Sequence, residues 1–223
     1  MSTQLAADTR ATYRPQTAML ALTFSTGIID AVGYLHLDRV FTGNMTGNVV
    51  MLGMGLAGVD DLPILAPVLA LTGFLCGAAL GGRTLRGRAS GWASATAGLL
   101  SAVAALLVVV AVVLAVDDHP AREVALAITM LLGISMGIQA AAARRVGVTD
   151  VSTVVVTSTI TALGMDSWFG SQVKGHTARR VLAVILISAG AATGAFLLKW
   201  HPSAAVGVAA VVTICVVIGG HRR

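Results

Sequence analysis

Charge is scarce in this chain: Asp, Glu, Lys and Arg make up 11% of 223 residues. Soluble domains carry roughly a quarter, so a water-facing globular surface is excluded. Aromatics are also few, at 4%. Trp92, Trp168, Trp200 and Tyr34 fall near the ends of apolar runs, where they read as interfacial anchors and not as a base-stacking platform. The two cysteines, Cys76 and Cys215, lie inside apolar runs; this rules out a disulfide framework and leaves them as small packing residues. The five histidines, His36, His119, His176, His201 and His221, have no ligand spacing and predict no metal site. An aspartate dyad, a G-x-S-x-G elbow and an H-E-x-x-H helix are all missing from the sequence. A non-enzyme that uses no cofactor is the expectation.

Apolar residues, by contrast, make up 56% of the chain, and the mean hydropathy is +0.86. Long uncharged runs become membrane-spanning helices, because lipid offers backbone groups no partner and a helix supplies its own. Six such runs are present, near 17–37, 62–82, 89–116, 124–143, 181–199 and 203–220. Two shorter apolar pieces, 45–58 and 151–165, have 14 and 15 residues, the length of re-entrant segments. The predicted fold class is an all-α integral membrane protein with six transmembrane helices plus two re-entrant or short helices.

Counting Lys and Arg on each side decides between two threadings of the short pieces. If all eight pieces crossed, the cations would divide eight to seven between the faces, with no bias. If the short pieces dip and return, only Arg39, Arg122 and Lys199 of the 15 cations fall outside. The positive-inside rule selects the second threading, with both termini cytoplasmic. It also accounts for the net charge of +5 and pI near 10.0 without nucleic acid as a partner, since the charges sit in pairs and triplets at the inner span ends. The partners expected are the lipid bilayer, with a weak preference for anionic headgroups, and a small-molecule solute. The polar first 16 residues lack a cleavage signature after span 1, so no cleaved signal is expected.

The same threading makes the halves opposite in orientation. The domain reading is a cytoplasmic tail 1–16, a first repeat 17–116 with a re-entrant 40–58, and a second repeat 117–223 with a re-entrant 151–165. Gly27 aligns with Gly137, Thr42 with Thr153, Thr46 with Thr157, Gly53 with Gly164, and the pair Gly73/Gly77 with Gly190/Gly194. Inverted repeats with interrupted helices point to a transport site near the midplane. The glycine stripes allow close helix approach, mainly within one chain, with a homo-oligomer as the other arrangement they permit.

The polar heptapeptide Thr42-Gly43-Asn44-Met45-Thr46-Gly47-Asn48 stands inside the first hydrophobic half, with a plainer echo at Thr153 to Thr159. Together with Gly27-x-x-Asp30-Ala31-x-x-Tyr34-Leu35 and Val40-Phe41, it resembles the signature of the YoaK-like family. Gly137-x-Gln139 through Arg144-Arg145, Asp150-Val151 and Thr157-x-Thr159 is similar to that family's second signature. The resemblance covers nearly the whole chain and implies a six-span protein of the bacterial inner membrane, without implying a substrate. The family pattern has Ala where Gly43 stands and Gly where Ser158 stands, which bears on backbone freedom at the dips.

Polar side chains at mid-membrane are costly without partners, and irregular backbone there must be buried or line a cavity. If the chain descends through 40–46 and returns as helix, a helix N-terminus lies deep, with free N–H groups and a positive dipole end. A second such end opposite would make a site for an anionic or polar solute. Asp30 is the one carboxylate well inside a span, at a cost of about 2.5–3.5 kcal/mol on insertion scales. The substrate-binding candidates are Asp30, Tyr34, Thr42, Asn44, Thr46, Asn48, Gln139, Thr153, Thr157 and Thr159. A transporter or channel with Asp30 as coupling group is the leading expectation. The alternative is a non-transporting scaffold or envelope-stress protein in which the same groups only cap helices and clamp spans.

Overall fold

The structure is a computed structural model that describes residues 2–59, 62–88, 91–147, 156–165 and 177–221. The regular elements among these residues are eight helices: α1 (Ser2–Leu35), α2 (Met45–Leu56), α3 (Leu65–Leu85), α4 (Ser94–Val116), α5 (Arg122–Val146), α6 (Val156–Met165), α7 (Thr177–Leu198) and α8 (Pro202–His221). Six of them are long and apolar enough to cross a bilayer, α1 through its part Pro15–Leu35. The polar tail is helical and continuous with the first span from Ser2 onward. The fourth helix begins later than the hydropathy implies, at Ser94. Gly91, at φ 98°, breaks the backbone ahead of it. The fifth ends in a left-handed Gly147 at φ 68°, whose amide bonds Ala143 O, with Arg144 and Arg145 against the negative dipole end.

Two crossings organise the bundle, and both are parallel. Along α3 and α5, a Cβ added at Gly73 would meet Met130 O, one at Gly77 would overlap Ile134 O, and one at Gly81 would meet Ala141 Cβ. From the other side, Gly137 lies on Phe74 O and Ala78 N. Along α1 and α7, Gly27 lies on Ile187 O and Ala191 N, Gly190 on Phe24 O, and Gly194 on Ile28 O and Ala31 Cβ. In lipid no hydrophobic force draws helices together, so backbone approach over small residues does this work. The contacts correspond residue for residue, Gly27 with Gly137 as aligned. They match Gly190/Gly194 with Gly77/Gly81, however, one turn beyond the expected Gly73/Gly77. In a chain this rich in small residues, sequence alone does not fix the turn; the backbone opposite does. These glycines are spent on packing inside one chain.

Helices α4 and α8 pack against each other and close the bundle. Leu100, Val103, Leu107, Val110 and Leu114 form the buried stripe of α4, in one hydrophobic cluster with Ala205, Val206 and Ala209 of α8 and Leu22, Ile29 and Val32 of α1. At one end Thr17, Ala18, Trp92 and Gly220 line a common apolar groove. At the other, the His36 ring stands 5.9 Å from that of His119. Leu75, Leu80, Val112, Ile185 and Phe196 point outward. Cys76 and Cys215 also lie on outer faces, not in the packing role expected of them. Trp200 is an exposed end-of-helix aromatic, while Trp168 falls outside the described residues.

Candidate functional site

After α1 ends at Leu35 the chain turns back along it. Val40 N donates to Gly33 O at 3.2 Å, and the amides of Thr42 and Gly43 reach Asp30. A Cβ at Gly43 would lie 2.7 Å from Thr26 Cγ2, still lower on α1. Residues 40–43 therefore retrace about two turns of α1 before α2 begins. The tight fit explains the glycines at the contact: a Cβ on Gly33 would overlap Val40 O.

Asp30 receives this returning strand. Its Oδ1 accepts from Thr42 N at 2.9 Å, from Gly43 N at 2.7 Å, and from Thr42 Oγ1 at 3.4 Å. Asn48, on the first turn of α2, grips the same strand from the other side. It accepts from Phe41 N at 2.9 Å and donates through Nδ2 to Phe41 O at 2.5 Å. Asn44 caps α2 by accepting from Gly47 N at 3.3 Å. Tyr34 stacks on Phe41 with ring centroids 5.1 Å apart. Asp30, Thr42 and Asn48 thus form one network. Asn44 and Thr46 are exposed, as is Tyr34.

At the α2 N-terminus, where the sequence suggested a place for a free anion, the Gly47 amide is taken by Asn44. Asp30, a carboxylate of the chain itself, occupies the amides just ahead of it. Nor do the two short helices face each other: α2 packs on α3 and α6 on α7, and α2 makes no contact with α6 among the described residues. Thr157 is exposed and its carbonyl accepts from Thr161 Oγ1 at 2.9 Å, while Thr159 is buried. Thr153 lies outside the described residues.

Gln139 joins the site from the second half. It is 1% exposed, and its Nε2 donates to Thr26 Oγ1 at 2.8 Å. Thr26 Oγ1 in turn donates to Leu22 O at 2.9 Å. Because the hydroxyl proton is committed to Leu22, Thr26 can only accept from Gln139, which fixes the orientation of the amide. Gln139 Oε1 is then a buried acceptor without a donor. Buried polar atoms are rarely left so, and each one asks for an explanation. Thr26 was not among the predicted site residues. Its position one turn before Asp30, on the same face of α1, was the available signal.

At the opposite end from the groove, His36 Nε2 is also buried without a partner. Burial holds this imidazole below its ordinary pKa of 6.5; a bond to the Asp118 backbone partly offsets this, and His119 and His201 repel the protonated form.

Six long apolar helices among the described residues, crossing over glycines, define an α-helical multi-pass integral membrane protein. Residues 18–219 match the family described as protein of unknown function DUF1275, and the chain belongs to that family. The UPF0700 transmembrane protein YoaK of Bacillus subtilis (strain 168) is 35% identical over 192 residues, which cover 82% of this chain and 83% of that protein. No solved structure matches.

Proposed function

We propose that the chain is a transporter or channel for a small polar solute in the bacterial inner membrane, with both termini cytoplasmic. In this reading it is built as two inverted repeats, each with a short helix that re-enters without crossing. Thr17 and Trp92 share one groove and His36 abuts His119; were α2 to cross, the members of each pair would lie on opposite faces. His201 is also close enough to His36 to act on its charge, which extends the same parity to α6. The matched crossings α1–α7 and α3–α5 support the duplication, and the positive-inside count supports the orientation.

The observation that carries transport is the unpaired Gln139 Oε1, joined through Thr26 to the Asp30 cluster at the seam between the halves. A purely structural interior has little reason to keep it. The path runs along this α1–α5 seam, with Thr26, Asp30, Thr42, Gly43 and Gln139 as its polar lining. Purified protein in proteoliposomes, studied by solid-supported-membrane electrophysiology, should give solute-induced currents that Asp30→Asn alters. Currents indifferent to both Asp30→Asn and Gln139→Leu would sink this site.

A scaffold is the second reading. It is favoured by the completeness with which Asp30 and Asn48 are engaged by the returning strand. It predicts no current with any solute and no water at Gln139.

A further inference from the structure

We infer that the groove between α1 and α8 binds one anionic phospholipid, with an acyl chain along the groove and the phosphate beside the arginines that end α5. This goes beyond the transport reading and does not depend on it. The groove is a cavity of about 860 Å³, within the roughly 300–1,000 Å³ of small-molecule sites. Thr17 and Ala21 of α1 form one wall and Val211, Cys215 and Gly219 of α8 the other, with Trp92 at one end. Val211 is 58% exposed and Cys215 is exposed too, so the groove opens sideways toward lipid.

Its length matches one leaflet. Thr17 and Gly220 stand at the ends of their apolar spans, Pro15–Leu35 and Pro202–Gly220, and the Trp92 ring lies against Gly220. Val211 is nine positions back along α8, which is about 14 Å at 1.5 Å per residue. That is close to half of the roughly 30 Å hydrocarbon core. An acyl chain anchored at the interface therefore reaches the far end of the groove near the midplane.

Chain burial alone does not choose between lipids, because lipid tails are as apolar as the groove walls. The head group has to decide, and the charge at the mouth is positive. Gly91 N donates to Arg145 O at 3.1 Å, which sets the end of α5 against the residue before Trp92. Arg144 is exposed and Arg145 half-buried. Arg145 Nε has no hydrogen-bond partner, and neither arginine is in an ion pair among the described residues. Guanidinium groups beside the mouth of an acyl-sized groove suit a lipid phosphate. A zwitterionic head group brings its own ammonium and gains less from them.

The test uses the full chain with Trp168→Phe and Trp200→Phe, leaving Trp92 as its one indole. The protein is reconstituted in mixed phosphatidylglycerol and phosphatidylcholine vesicles, with one lipid or the other brominated near the head-group end of its acyl chains. Brominated phosphatidylglycerol should quench Trp92 at about one-fifth the mole fraction that brominated phosphatidylcholine needs, the effect of one surface arginine. The preference should shrink in 1 M salt and in Arg144→Gln. Gly219→Leu, where an added Cβ meets open space, should fill the groove and remove the preference without unfolding the protein. Where the tryptophan variants lower the yield, the unaltered chain in detergent should show a larger rise in melting temperature with phosphatidylglycerol than with phosphatidylcholine. Equal effects of the two lipids mean annular lipid only and overturn the inference. Quenching by neither means that something else, such as a second copy of the chain, covers the groove, and overturns it as well. Relief of quenching by free glycerol phosphate would show a head-group site without an acyl chain. A preference untouched by Gly219→Leu and Arg144→Gln would place the lipid elsewhere; either result overturns the site.

Discussion

The crossings α1–α7 and α3–α5 are nearly interchangeable, yet what accompanies them is not. On α1, three residues after Gly27, stands Asp30, which receives the returning strand. Three residues after Gly137 on α5 stands Ala140. The neighbouring Gln139 reaches across to Thr26 of the first half instead. The frame is therefore symmetric, because backbone packing over glycine admits little variation. The polar interior is one-sided, because a single carboxylate is costly enough in a membrane without a second.

The frame should break most severely and most evenly. Gly27→Val and Gly137→Val each drive a side chain into carbonyls of the facing helix. Each should cost at or above the upper end of the roughly 1–3 kcal/mol typical of overpacking. Heated samples followed by fluorescence-detected size exclusion would show whether the two losses are equal, as matched crossings require. Gly207→Ala, with open space around it, is the silent control.

The polar half is the next to test. Asn48→Leu leaves the Phe41 amide and carbonyl without their partner, a loss of about 1–3 kcal/mol for each unsatisfied buried group. Asp30→Ala should cost a similar amount, and Asp30→Asn much less, because an asparagine oxygen still accepts from Thr42 and Gly43. Equal losses in the two Asp30 variants would mean that charge, not the acceptor, holds the strand. Gln139→Leu, measured in the same melts, should lie within about 1 kcal/mol of wild type, since its oxygen is already unpaired. A large loss would return Gln139 to the structural frame.

The smallest effect concerns the outer histidines. Because burial lowers the His36 pKa below 6.5, the unfolded chain binds this proton more readily than the folded one. Stability is present above pH 6.5 and declines as pH falls below it. Melting temperatures from pH 7.5 to 5 should show a shallow fall that His36→Gln flattens.

Much of the frame was legible in the chain itself. Six apolar runs and two short ones correspond to six long and two short helices. The network of Asp30, Thr42 and Asn48 was legible as a set of polar residues with no reason to face lipid. Its inner geometry was not. Sequence spacing could not tell that the Thr42 and Gly43 amides are taken by Asp30, because that depends on how far residues 40–43 fold back along α1. It also proposed α2 and α6 as facing partners, whereas each packs on the helix that follows it in the chain.

The sequence by itself determined that this protein lives in a bilayer, which runs are long and apolar enough to cross it and which residue types had to be hidden, since the cost of transferring polar groups into lipid depends only on chemistry. Only the tertiary structure decided which glycine meets which carbonyl, that Asp30 answers the strand ahead of α2, and that Gln139 faces Thr26 with one oxygen to spare. Those outcomes turn on distances of a few tenths of an ångström between segments remote in sequence. A one-dimensional pattern carries no record of them.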